Sequence, residues 1–140
     1  MIRVVLDTNV LVSGTFWAGQ SYQIINLIEK EKLIFVTSPA ILEEYNAVMN
    51  YKEIKDKVDH HHERSQASLK LAQLGVLVYP TTNVKVVKED PSDDKFIDAA
   101  LAGKADYIVS QDKHLLKIKE HNGIKIITPE EFLETINRNK

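Results

Sequence analysis

Residues 89–116 read EDPSDDKFIDAALAGKADYIVSQDKHLL. After an acid-rich opening, Phe96, Ile97, Ala100 and Leu101 recur at the spacing that builds one side of a helix. DYIVS (106–110) follows as a short strand, and Asp112 stands just past it. A helix feeding a strand is the repeating unit of an α/β protein, and the rest of the chain repeats it. IRVVL (2–6) is a β-branched run that stops at Asp7. The segment after Gly19, with Tyr22, Ile24, Ile25, Leu27 and Ile28, reads as a helix, and LIFV (33–36) is the next strand. In TSPAILEEYNAVMN, Ser38 can cap a helix that has Pro39 in its first turn and apolar residues at 41, 42, 45, 48 and 49. A polar helical region is expected over 52–74, closed by Gly75. Strands are expected at VLVY (76–79) and IKII (124–127), with an extended piece at VKVV (84–87). The last helix, TPEEFLETINR, opens on a capping box from Thr128 to Glu131. Strands separated by helices predict a parallel sheet covered on both faces.

The chain has 140 residues, a size that fits one domain over 1–140 with a real core. No apolar run approaches the roughly 18 residues of a membrane span, and MIRVVLDTN lacks a signal-peptide core, so a cytoplasmic protein with no membrane partner is expected. The absence of cysteine removes disulfides, thiolate metal sites and cysteine nucleophiles. A net charge of −2 argues against a protein that coats nucleic acid non-specifically, but leaves room for an acidic catalytic centre with a basic rim. The run His60–His62 lies in a polar helical segment, where three adjacent histidines point in three directions.

Ligands of open α/β sheets bind beyond the carboxyl ends of the strands. Asp7 sits there after the first strand, as a turn or cap residue or as a ligand. On the helix after residue 38, Glu44 lies about 100° from the centre of the apolar face and Glu43 about 160°, so Glu44 borders the core and Glu43 is solvated. On the helix after residue 93, Asp93 falls almost on the inward centre line, Asp94 about 90° off it and Asp98 about 130°. Ser92 is available as the cap there, which leaves Asp93 free. Asp94 and Asp98 form an outer ledge, and Glu89 and Asp90 belong to a solvated loop. Asp112 opens KHLLKIK as a cap or as a fourth member of the set. At an effective dielectric near 20, each close pair of carboxylates repels by roughly 4 kcal/mol. Protonation or a hard cation relieves that repulsion. A site made only of carboxylates suits Mg²⁺ or Mn²⁺, and metal-assisted phosphodiester hydrolysis is the chemistry such a site performs.

The segments VVLDTNVLVSG, SPAILEEYNAVM, EDPSDDKFIDAALAGKADYIVSQDKHLL and GIKIITPEEFLE, in this order, resemble the PIN-domain family over essentially the whole chain. Within that family they are most similar to VapC-like toxins of bacterial and archaeal toxin–antitoxin modules. The resemblance implies a three-layer α/β/α sandwich around a central parallel sheet, and an endonuclease that cleaves single-stranded RNA with Mg²⁺ or Mn²⁺. It implies that Asp7, Glu44, Asp93 and Asp112 are the catalytic acids and metal ligands, with Ser110 standing where the family carries threonine. Asp98 falls where relatives often carry an acid that holds a metal-bound water. Asp94 ranks below it, and Asn9 holds the loop that aims Asp7. A homodimer and an antitoxin partner are implied as well, and Lys85, Lys88, Lys95, Lys113 and Lys117 could form a phosphate-contacting rim. Two other readings are an inactive PIN domain that binds RNA or protein, and a phospho-accepting α/β domain. The second is disfavoured because Asn9 stands where such domains place another acid.

Overall fold

The computed structural model describes residues 1–51 and 69–138. Most of the helical region expected over 52–74, including His60–His62, lies outside them. Its described end, 69–74, is helical. In chain order the elements are β1 (Arg3–Leu6), α1 (Thr8–Phe16), α2 (Gln20–Glu29), β2 (Ile34–Thr37), α3 (Pro39–Met49) and β3 (Val76–Leu77). A 3-10 turn at Pro91–Asp93 then leads into α4 (Asp94–Ala102), followed by β4 (Tyr107–Val109), α5 (Lys113–Leu116), β5 (Glu120–His121), β6 (Ile124–Ile127) and α6 (Pro129–Arg138).

The strands form one mixed sheet in the order β3-β2-β1-β4-β6-β5. All its neighbours are parallel except β5 and β6. The chain builds outward from β1 through β2 to β3, then crosses to the other side of β1 for β4. The carboxyl ends of β1 and β4 therefore flank the topological switch point, where α/β sheets bind ligands. β1 and β4 run in the register Val4↔Tyr107, Val5↔Ile108 and Leu6↔Val109, which places Asp7 beside Ser110. Helices cover the sheet in an α/β/α arrangement. α4 packs against β1, β2 and β4, while α1 packs with α2 and α3, and α2 with α6. Between them lies a core that includes Val4, Val5, Leu6, Phe35, Tyr45, Phe96, Ile97, Ile108 and Phe132.

Several elements depart from the expectation drawn from the sequence. TNVLVSGTF forms helix α1, not a loop that aims Asp7, and Asn9 is an exposed residue of its first turn. Buried residues surround this helix at Thr8, Val10, Leu11, Val12 and Gly14, so no polar stripe reveals its period. A Cβ on Gly14 would stand 2.6 Å from Ile25 Cγ1 and 2.7 Å from the Ser21 carbonyl oxygen, so only glycine lets α1 and α2 approach this closely. The VKVV segment joins no strand ladder. The sheet is not wholly parallel, because Asn122 and Gly123, with φ of 51° and 83°, form a two-residue turn that folds β5 back along β6. The capping box is present: Thr128 Oγ1 accepts from Glu131 N at 3.2 Å, and Glu131 Oε1 accepts from Thr128 N at 3.4 Å. No described helix is long and apolar enough to cross a membrane.

Candidate active site

Four elements carry the acids that the sequence singles out. Asp7, at the end of β1, is buried and caps α1, where its Oδ1 accepts from Val10 N at 2.9 Å. Its Oδ2 accepts from the Ser110 hydroxyl, and Ser110 Oγ in turn accepts from Asp112 N at 2.9 Å. One hydroxyl thus joins the acid after β1 to the acid after β4. Asp112 also caps α5, with its Oδ1 accepting from His114 N at 2.8 Å. Glu44 projects from α3 and pairs with the Lys95 ammonium on α4, while Glu43 is exposed.

Asp93 ends the 3-10 turn before α4. Its side chain is 6 % exposed, caps nothing, and its Oδ2 has no hydrogen-bond partner. Burial raises its pKa to about 8, with a further push from a hydrogen bond shared with Asp112 and from the charges of Asp90, Asp112 and Glu44. Asp7 is also raised by burial. The Ser110 hydroxyl and the Val10 and Gln111 amides oppose that shift, and the Asp112 charge adds to it. These influences link Asp112 to both Asp7 and Asp93, and link Glu44 and Asp90 to Asp93.

Asp94 and Asp98 do something different. Both are buried under residues 82–88 instead of forming an exposed ledge. Asp94 Oδ1 accepts from Val86 N at 3.0 Å and Val87 N at 2.8 Å. Asp98 Oδ1 accepts from Thr82 Oγ1 at 2.7 Å and Val84 N at 3.2 Å. Their charge is spent on backbone amides that would otherwise lack partners, which holds the irregular segment against α4. Ser92 does not cap α4, because its hydroxyl donates to Asp90 Oδ1 at 2.6 Å.

Asp90 is not a free loop residue either. Asp90, Asp112 and His114 each offer a ligand atom, and these atoms lie within 4.8 Å of one another. His114 Nε2 stands 3.2 Å from Glu89, which also accepts from Lys117 at 2.6 Å. The pattern DxxD over 90–93 carried the only sequence signal for Asp90. His114 had none beyond its place two residues after Asp112.

Against known proteins, the model of the PIN domain matches residues 3–114. The chain belongs to the PIN-domain family. It is 32% identical over 150 aligned positions to the uncharacterized protein MJ1680 of Methanocaldococcus jannaschii, an alignment covering 98% of this chain and 93% of that one. The crystal structure of PAE2754 from Pyrobaculum aerophilum shares the PIN-like fold, with a TM-score of 0.64 at 15% identity over 98% of this chain and 90% of that chain. PIN domains are in general metal-dependent nucleases, which gives the acidic centre a nuclease-type function in broad terms. The geometry fits a divalent cation. A buried Asp93 oxygen has no hydrogen-bond partner and lies under the influence of the Asp112, Asp90 and Glu44 carboxylates, and a cation is one partner that relieves such a group.

Proposed function

We propose that this PIN domain is an endoribonuclease that hydrolyses phosphodiester bonds of single-stranded RNA with Mg²⁺ or Mn²⁺ held by Asp7, Glu44, Asp93 and Asp112. The observation that carries the reading is the buried, unpartnered Asp93 oxygen, on which the Asp112 and Glu44 carboxylates act. Such an ion, when bound, eases the deprotonation of water and stabilises negative charge that builds on a phosphodiester. Hard oxygen ligands suit these two ions, which keep part of their water shell.

The protein's own groups prepare the site. The Ser110 hydroxyl and the Val10 amide of α1 hold Asp7 in one orientation. Glu44 reaches the centre from α3 and is neutralised by Lys95, which holds the acid in place until a stronger cation competes for it. Burial and the neighbouring acids raise Asp93 to about 8, and a cation held there would favour its ionised form. In hydrolysis, a water oxygen bonds to phosphorus as the bond to the leaving oxygen breaks, and that oxygen takes a proton. Asp98, engaged with Thr82 and Val84, acts on this chemistry through the segment it holds.

The similarity to VapC-like sequences supports a role as the toxin of a toxin–antitoxin module, a cytoplasmic homodimer restrained by an antitoxin. The test is cleavage of single-stranded RNA by the purified chain. Cleavage is expected to need Mg²⁺ or Mn²⁺, to stop with EDTA, and to vanish in Glu44→Gln but not in Glu43→Gln. Cleavage that survives in Glu44→Gln overturns the assignment.

A further inference from the structure

Two hollows meet at Lys95 and Asp98, beside the acidic centre. The first, about 520 Å³, is bordered by Asn83, Lys85, Lys88 and Lys95, and by Pro91 and Ser92 of the turn that carries Asp93. The second, about 320 Å³, lies between Ser38 at the head of α3 and the Tyr79–Pro80 segment after β3.

The first hollow is basic in effect, although two acids border it. The carboxylates of Asp94 and Asp98 are buried and already accept from backbone amides and from Thr82. Lys85 and Lys88 are exposed, and among the described residues neither enters an ion pair. By contrast, Lys117 is engaged with Glu89, and Lys95 with Glu44 at the junction of the hollows. Tyr79, which borders the second hollow, is 71 % exposed, so an aromatic side chain stands open to solvent there. Free ammonium groups beside a bare aromatic face are the two elements by which proteins hold unpaired nucleic acid: cations track the phosphates and bases stack on the ring.

We propose that these hollows form one binding track for single-stranded RNA. Phosphates lie at Lys85 and Lys88, a base stacks on Tyr79, and the strand passes Lys95 on its way to the acids. The inference rests on the nuclease reading above and names the part of the chain that holds the substrate. A duplex would not fit it, because stacking on Tyr79 requires a base free of its own neighbours. Lys95 serves as the link. If a bound cation drew Glu44 away, the Lys95 ammonium would be free to meet a phosphate between the hollows.

The track is tested by binding of a labelled single-stranded RNA to the full chain in EDTA, across a series of salt concentrations. Each phosphate contact on a single strand contributes about 0.7 to the slope of log affinity against log salt. The double variant Lys85→Gln/Lys88→Gln is expected to bind about ten-fold more weakly, with the slope reduced by about 1.4. Tyr79→Ala is expected to weaken binding about ten-fold with the slope unchanged, since stacking releases no counterions. Lys104→Gln, outside both hollows, should match the wild type. If the wild type binds and the double variant keeps both its affinity and its slope, the track is overturned. A wild type that neither binds nor cleaves RNA removes the nuclease reading beneath it.

Discussion

Asp93, Asp94 and Asp98 lie within six residues of one another, and all three are buried. Yet they live in opposite electrostatic worlds. Asp94 and Asp98 face the 82–88 segment and are met by three amides and a hydroxyl. Asp93 faces Asp112, Asp90 and Glu44 and has an oxygen that nothing meets. The same residue type on the same helix start is a fastener on one side and a candidate ligand on the other. Burial does not separate the two roles. The supply of donors does.

The sharpest way to break this contrast is to remove each acid in turn. Asp93→Asn is expected to lower RNA cleavage by about 10²–10³-fold, the scale for losing one group that stabilises charge at a reacting centre. It should leave the urea midpoint of the metal-free chain near the wild-type value at neutral pH, where Asp93 is already protonated. Asp94→Ala is expected to do the reverse in kind. It strands the part-buried Val86 amide and the buried Val87 amide and should cost about 3 kcal/mol of stability in urea unfolding. A fall in stability with Asp93→Asn as large as with Asp94→Ala would erase the distinction.

A pH series sharpens it further. The folded pKa of Asp93 lies at about 8, above the ordinary 3.8, so the folded state holds this proton more tightly than the unfolded state does. Its contribution to metal-free stability is full below 3.8, declines as pH rises, and is lost once pH passes about 8. Thermal melts should show this decline in the wild type and a shallower one in Asp93→Asn. Mg²⁺ or Mn²⁺ should raise the melting temperature more at pH 8 than at pH 5, because the cation then competes with fewer protons. The smallest effect expected is that of Glu43→Gln, an exposed change within about 0.5 kcal/mol of the wild type, with cleavage retained. Damage there would mean that the helix presents its other glutamate to the site.

What the sequence could reveal divides along the same line. Helical periodicity is local, so it separated Glu43 from Glu44 and turned Asp93 inward. The capping rules placed Ser38 and the Thr128–Glu131 box. The partners of Asp94 and Asp98 come from an irregular segment up to sixteen residues earlier in the chain, which no wheel can show. Helix α1 escaped because its surroundings are apolar on almost every side, which leaves no period to read. The Asn122–Gly123 turn was within reach, since this dipeptide favours the left-handed backbone of a tight hairpin. Ser110 stood as a matched position in a motif, but its bridge from Asp7 to the Asp112 amide depends on the register of two strands a hundred residues apart.

The short outer strands have a consequence for how the molecule meets others. β3 and β5 close the two sides of the sheet, and each is only two residues long. A neighbouring chain that tried to continue the sheet would find almost no unpaired backbone to zip onto, at either margin. Among the described residues, the rim therefore offers little purchase for stacking of copies through their strands.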